Sequence, residues 1–154
     1  MKDLDAMDVY SLRGDKMFPI KCKAWHENLN KMFSAEELGQ DQVTISPDGK
    51  GFINVSGVNT KLSQYYPFMI PLQFIGLIDI CSAEIYEADI VSFTKTHNNE
   101  SYIGEVQYHI DVAGFMLETV NNDPWYSFEF GLGTVDLKVL GNKYEDPELL
   151  GGHT

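Results

Sequence analysis

Three carboxylates, Glu84, Glu87 and Asp89, fall within EIYEADIVSF at residues 84–93, hard against an apolar run. Carboxylates this close in sequence can hold a metal ion or share the work of a general acid and base. In one continuous strand, however, Glu87 and Asp89 would share a face with Ile85, Val91 and Phe93, burying two charges in a core. The strand is therefore expected to break near Ala88. A tight turn through Glu87-Ala88-Asp89 would let the carboxylates cap backbone amides before a fresh strand begins at Ile90. A bend is favoured over a metal site.

Other patterns that carry chemistry are weaker. His26, His97, His109 and His153 form no HxH, HxxxH or HExxH pair, so zinc has no local signal. Cys22 and Cys81 make neither a disulfide framework nor a CxxC spacing and read as buried free thiols of a reducing compartment. There is no GxSxG or P-loop, and Gly131-Leu132-Gly133 lacks the third glycine of a dinucleotide fingerprint. No catalytic residue, metal or cofactor is expected.

Charge is unevenly placed. Of 23 acids and 11 bases, residues 1–61 hold 9 and 8, residues 138–154 hold 3 and 2, and residues 62–137 hold 11 acids against Lys95 alone. A segment of net −10 would repel a phosphate backbone, so direct nucleic-acid binding is disfavoured. With no 18-residue apolar run, signal-type h-region or lipidation box, the chain reads as a protein of the cytoplasm, away from membranes.

The elements that must position these groups are mostly strands. Residues 1–19 read as a polar, acidic arm, with Leu4, Met7 and Leu12 as weak docking positions; Arg13-Gly14-Asp15 within it is a chance match to an adhesion tripeptide. IKCKAW at 20–25 alternates Ile20, Cys22 and Ala24 against Lys21, Lys23 and Trp25, the period of a half-buried strand. Ser34-Ala35-Glu36-Glu37 has the form of a capping box, and Gly39 limits that helix to about one turn. QVTI, SPDG and GFINV spell a hairpin. Short strands follow at FMIPLQF, DIVSFT, YIGEVQYH, GFMLET, WYSFEF and LKVLGNKY, with turns at His97-Asn98-Asn99 and Asn121-Asn122-Asp123-Pro124. Many short strands with almost no helical period predict an all-β barrel or sandwich. Ile90, Val91, Val106, Phe115, Leu117, Phe128, Val139 and Leu140 are the expected core.

IKCKAW followed by Asn30-Lys31-Met32, then QFIGLID at 73–79, EIYEADIV at 84–91, Gly104-Glu105-Val106 and VLGNKYEDPELL at 139–150 together resemble the YopX-like proteins of phages and prophages. Where that family usually carries glycine this chain has Ala88, and where it carries phenylalanine and arginine this chain has Cys22 and Lys23. The resemblance implies an all-β protein whose C-terminal half looks like a small SH3-like barrel running from near Ile90 to near Tyr144; it does not imply an enzyme, and it carries over no catalytic residues. The expected organisation is an arm at 1–19, a β region at 20–83 and the barrel at 84–150.

Two functions follow as expectations. The first is a non-enzymatic phage accessory protein of the host cytoplasm. It would inhibit a host protein with a basic groove, such as a defence nuclease, by presenting carboxylates where phosphates are expected. Glu100, Glu105, Asp111, Glu118 and Asp123 would gather on one exposed sheet face, with Trp125 as an interface aromatic. The second is an oligomeric scaffold or regulatory module that binds a small ligand or nucleic acid through its barrel. Open strand edges also predict a homo-oligomer, even-numbered or a ring.

Overall fold

Alternating apolar residues place the first strands where the sequence predicts them. The computed structural model describes residues 20–56, 65–66, 68–119, 126–127 and 134–151. Strand β1 (Cys22–His26) turns through a 3-10 helix at Glu27–Leu29 and Asn30, at φ 49°, into β2 (Lys31–Phe33). Asparagine tolerates the left-handed region better than most residues. Ser34 then caps α1 (Ala35–Gln40): its hydroxyl accepts the Glu37 amide at 3.1 Å, and Glu37 accepts the Ser34 amide at 2.8 Å. The helix stops one residue after Gly39.

The expected hairpin is β3 (Val43–Ile45) and β4 (Phe52–Asn54), joined through Gly49 at φ 72° and extended by β5 (Tyr65–Tyr66). Strand β6 (Met69–Ile78) pairs with β1 along its first half and with β7 (Glu84–Tyr86) along its second. One sheet therefore runs β2-β1-β6-β7 and another β3-β4-β5.

The second half is one curled sheet, ordered β11-β10-β9-β8-β12, with β8 (Asp89–Lys95), β9 (Ser101–His109), β10 (Gly114–Thr119), β11 (Tyr126–Ser127) and β12 (Thr134–Asn142). It closes half a barrel around Ile75, Ile85, Val91, Phe93, Val106, Leu117 and Leu137. A short α2 (Glu148–Gly151) follows. The protein is all-β, as strand spacing predicts; β7 pairs with β6 in the first sheet and sends Ile85 into the core of the curled sheet.

Ile90, Val91, Val106 and Leu117 are fully buried, and Phe115 and Val139 pack against the same core. Leu140 departs from expectation and is 39% exposed. Leu140 falls at the register shift between the Val139–Val91 and Gly141–Ile90 pairs, so it is the extra residue of the ladder, with no partner on β8. Trp25 departs in the other direction. It is buried with Leu72 and Ala88 and stacks on Tyr144 at 5.5 Å, so β1 is covered on both faces. The arm, the turn at 121–124 and Phe128 lie outside the described residues.

Candidate functional site

The carboxylates at 84–89 form a junction between the two sheets. Ala88 takes φ 65° despite its Cβ, held by its amide to the Val106 carbonyl (2.8 Å) and by the Lys143 amide to its own carbonyl (3.0 Å). Asp89 accepts the Tyr86 amide at 2.8 Å and the Asn142 side chain at 3.0 Å, the capping role expected of it. Burial nevertheless pushes its carboxyl above the usual range. Glu84 is bonded to Lys21 and accepts the Tyr86 hydroxyl at 2.7 Å. Burial would raise its pKa, but those two partners outweigh it and hold it low. Burial, then Glu84 itself, push the Tyr86 hydroxyl well up. Among the described residues no group of three or more His, Cys, Asp or Glu is placed to hold a metal ion.

Of the acids expected on one negative face, the register sets Glu105 and Glu118 directly opposite each other on β9 and β10, while Glu100 and Asp111 stand beyond opposite ends of β9. Glu105 is a correction: it is buried, and Lys143 covers it with a 2.7 Å ion pair. Its register partner Ile90 is fully buried too, because the chain leaving β12 lies across that part of the sheet. Glu100 sits in the β8–β9 turn, bonded to Asn98 and Tyr102. Asp111 sits in the turn after β9, at the other end of a nine-residue strand, on the order of 30 Å away at about 3.3 Å per residue. Glu118 is exposed on β10 and accepts from Gln107. Asp123 and Trp125 lie outside the described residues. Asp79 is wholly structural: it accepts the amides of Cys81 (2.7 Å), Ala83 (2.8 Å) and Val139 (2.9 Å), clamping the 79–83 turn along β12.

A groove opens elsewhere, in the N-terminal half rather than the barrel. Of about 570 Å³, it is lined by Cys22 of β1, Pro71 and Gln73 of β6, Leu38 and Gly39 of α1, Val43, Thr44 and Ile45 of β3, and Phe52 of β4. Its volume lies in the range of ligand sites, which combine apolar walls with a few polar groups. Lys21 and Glu87 supply the charged groups. Glu87, expected as a structural cap, lines this groove half-buried, and burial raises its carboxyl while the Gln73 amide and then Lys143 oppose the shift. Burial also pushes the Cys22 thiol up, which suits a packed thiol more than a nucleophile. Sequence reasoning missed this site. Its lining comes from separated segments between Ile20 and Glu87, and only the Ser34 capping box hinted that a helix stands beside β1.

No curated protein matches the chain. Among solved structures it is similar to protein EF1440 from Enterococcus faecalis, at 24% sequence identity and a TM-score of 0.50, covering 87% of this chain and 99% of that one. At that identity the likeness bears on the fold. The YopX protein family matches residues 21–151, a span that takes in every sheet, the groove and the turn after β12, and the chain belongs to that family.

Proposed function

We propose that this is a phage-encoded accessory protein of the host cytoplasm, without enzymatic activity, that acts by binding a partner in the groove between β1, α1 and β3. The observation that carries this reading is the groove itself: apolar walls, open strand edges and a single half-buried carboxylate at Glu87. The polar groups next to it support binding over catalysis. Glu84 and Tyr86 are bonded to each other, and Asp89 holds a backbone amide.

A second reading is inhibition of a host protein with a basic groove. It is favoured by Glu100, Asp111, Glu118 and Asp136, which are exposed and have no lysine or arginine ion pair among the described residues. Attraction of that kind weakens as salt rises.

One capture experiment from host lysate, at low and high salt, separates the two. Gly39→Trp fills the groove from a position where an added Cβ meets nothing within 4 Å. It should abolish capture, while Asp111→Lys with Glu118→Lys should leave it intact. The reverse pattern sinks the groove reading in favour of the acidic surface. Capture that neither change disturbs sinks both.

A further inference from the structure

Successive residues of a strand point to opposite faces. A groove met by three consecutive residues is therefore met by a strand's edge. Both walls have this property: Val43, Thr44 and Ile45 on one side, Ile20, Lys21 and Cys22 on the other. Among the described residues, β3 is the terminal strand of its sheet. The Ser46 amide bonds to the Gly51 carbonyl and the Val55 amide to the Gln42 carbonyl, each at 2.8 Å. Alternation between these pairs turns Thr44 toward β4 and leaves the N–H and C=O groups of Val43 and Ile45 directed to the free side.

The opposite wall follows the same logic. The Phe74 amide donates to the Lys21 carbonyl at 2.9 Å, so Lys21 faces β6 and the backbone of Cys22 faces away. On that side β2 reaches only as far as the Ala24–Phe33 pair. Unpaired edges of this kind are templates for another strand.

Charge narrows the occupant. Lys21 is ion-paired with Glu84, whereas Glu87 has no ion pair among the described residues. The groove thus presents a carboxylate whose partners among the described residues are the Gln73 amide and, at longer range, Lys143, with no ion pair of its own, and among apolar walls this suits a cation on an otherwise apolar segment.

We propose that the groove is a strand-addition site, taking an extended segment of a partner protein whose apolar side chains enter it and whose lysine or arginine meets Glu87. This rests on the groove reading above and adds the binding mode and the chemistry of the segment.

The test uses the full chain and a fluorescein-labelled octapeptide alternating valine and threonine, with one central arginine. Three companions carry norleucine or glutamate in place of the arginine, or methyl groups on alternate backbone nitrogens. Fluorescence anisotropy should rank arginine above norleucine above glutamate, with the methylated peptide unbound. Glu87→Gln should weaken the arginine peptide about tenfold and leave the norleucine peptide unchanged. Ile45→Pro removes an outward-facing donor, the placement that edge strands tolerate, and should abolish binding with the circular dichroism spectrum retained. Should that variant fail to fold, the methylated peptide on the wild-type chain makes the same discrimination.

Binding that survives backbone methylation overturns strand addition, and equal affinity for the arginine and glutamate peptides overturns the role of Glu87. Displacement of the probe by an equal concentration of a peptide of residues 1–19 assigns the groove to the chain's own arm and overturns a foreign partner. Self-association of the protein that Ile45→Pro removes does the same in favour of a second copy. If Gly39→Trp abolishes lysate capture while no peptide binds, the groove reading stands and strand addition falls.

Discussion

The two halves of the molecule treat their strand edges differently. In the curled sheet, β12 is an edge strand, but Asp79 and the turn it organises lie along it: the Ile80 amide donates to the Leu137 carbonyl at 2.9 Å and the Asp79 carboxylate takes the Val139 amide at 2.9 Å. In the N-terminal half β4 pairs with one side of β3 and β6 with one side of the backbone at 21–22, and no described strand pairs with the other side of either. Carboxylates follow the same division. Asp79, Asp89 and Glu105 on the covered side are bonded to amides, an amide side chain or a lysine, whereas Glu87 faces an opening. An acidic stretch of sequence is thus not one kind of object: some of its acids hold edges shut, while Glu87 lines the groove without an ion pair among the described residues.

This contrast can be broken most forcefully at Asp79. Asp79→Ala leaves three backbone amides without their acceptor, and a stability loss of about 3 kcal/mol is expected, read as a lower urea midpoint. A loss under a few tenths would mean that water replaces the carboxylate and the edge is not held by it.

Glu105→Lys comes next. It sets two lysines together under a covered face, and about 2 kcal/mol should be lost, with partial recovery in the Lys143→Glu double variant. A fold as stable as wild type would return Glu105 to the exposed surface expected from sequence.

Gly104→Ala should cost about 1 kcal/mol. The new Cβ would stand 3.0 Å from the Glu118 carbonyl oxygen, a backbone atom that cannot swing aside. Gly39→Ala, in the open half, should be neutral or stabilising by about 1 kcal/mol in the thermal midpoint, because its Cβ meets nothing and alanine favours helix.

The smallest effect is the dependence on pH. Burial raises the Glu87 carboxyl in the folded state, so the folded chain holds its proton more tightly than the unfolded chain. Stability from this group is fully present below the unfolded value and declines as pH rises through the folded one. Glu87→Gln should therefore raise the melting temperature at pH 8, by an amount that vanishes near pH 4. A constant difference across that range would mean that the substitution acts through packing.

Much of the fold was legible because local chemistry agrees with the tertiary outcome. The strand at IKCKAW, the Ser34–Glu37 box, the SPDG turn ending in Gly49 and the break at Ala88 each depend on a few residues, and each appears in the structure, although burial of Trp25 covers both faces of that strand. The break illustrates why: two carboxylates on a core face are too costly, so the chain bends, and Asp89 closes the bend on the Tyr86 amide. What the sequence could not decide was which acids would be covered and which edge would stay open. Glu105 looks in sequence like Glu118, its register partner on β10, and only the arrival of Lys143 from 38 residues away separates them. The groove depends likewise on β2 ending at Phe33, on α1 bringing Leu38 and Gly39 to its wall and on β3 being the last described strand of its sheet. Burial and edge pairing are sums over distant segments. Local residue patterns settle strands and turns; only the packed chain settles which of their surfaces remain available.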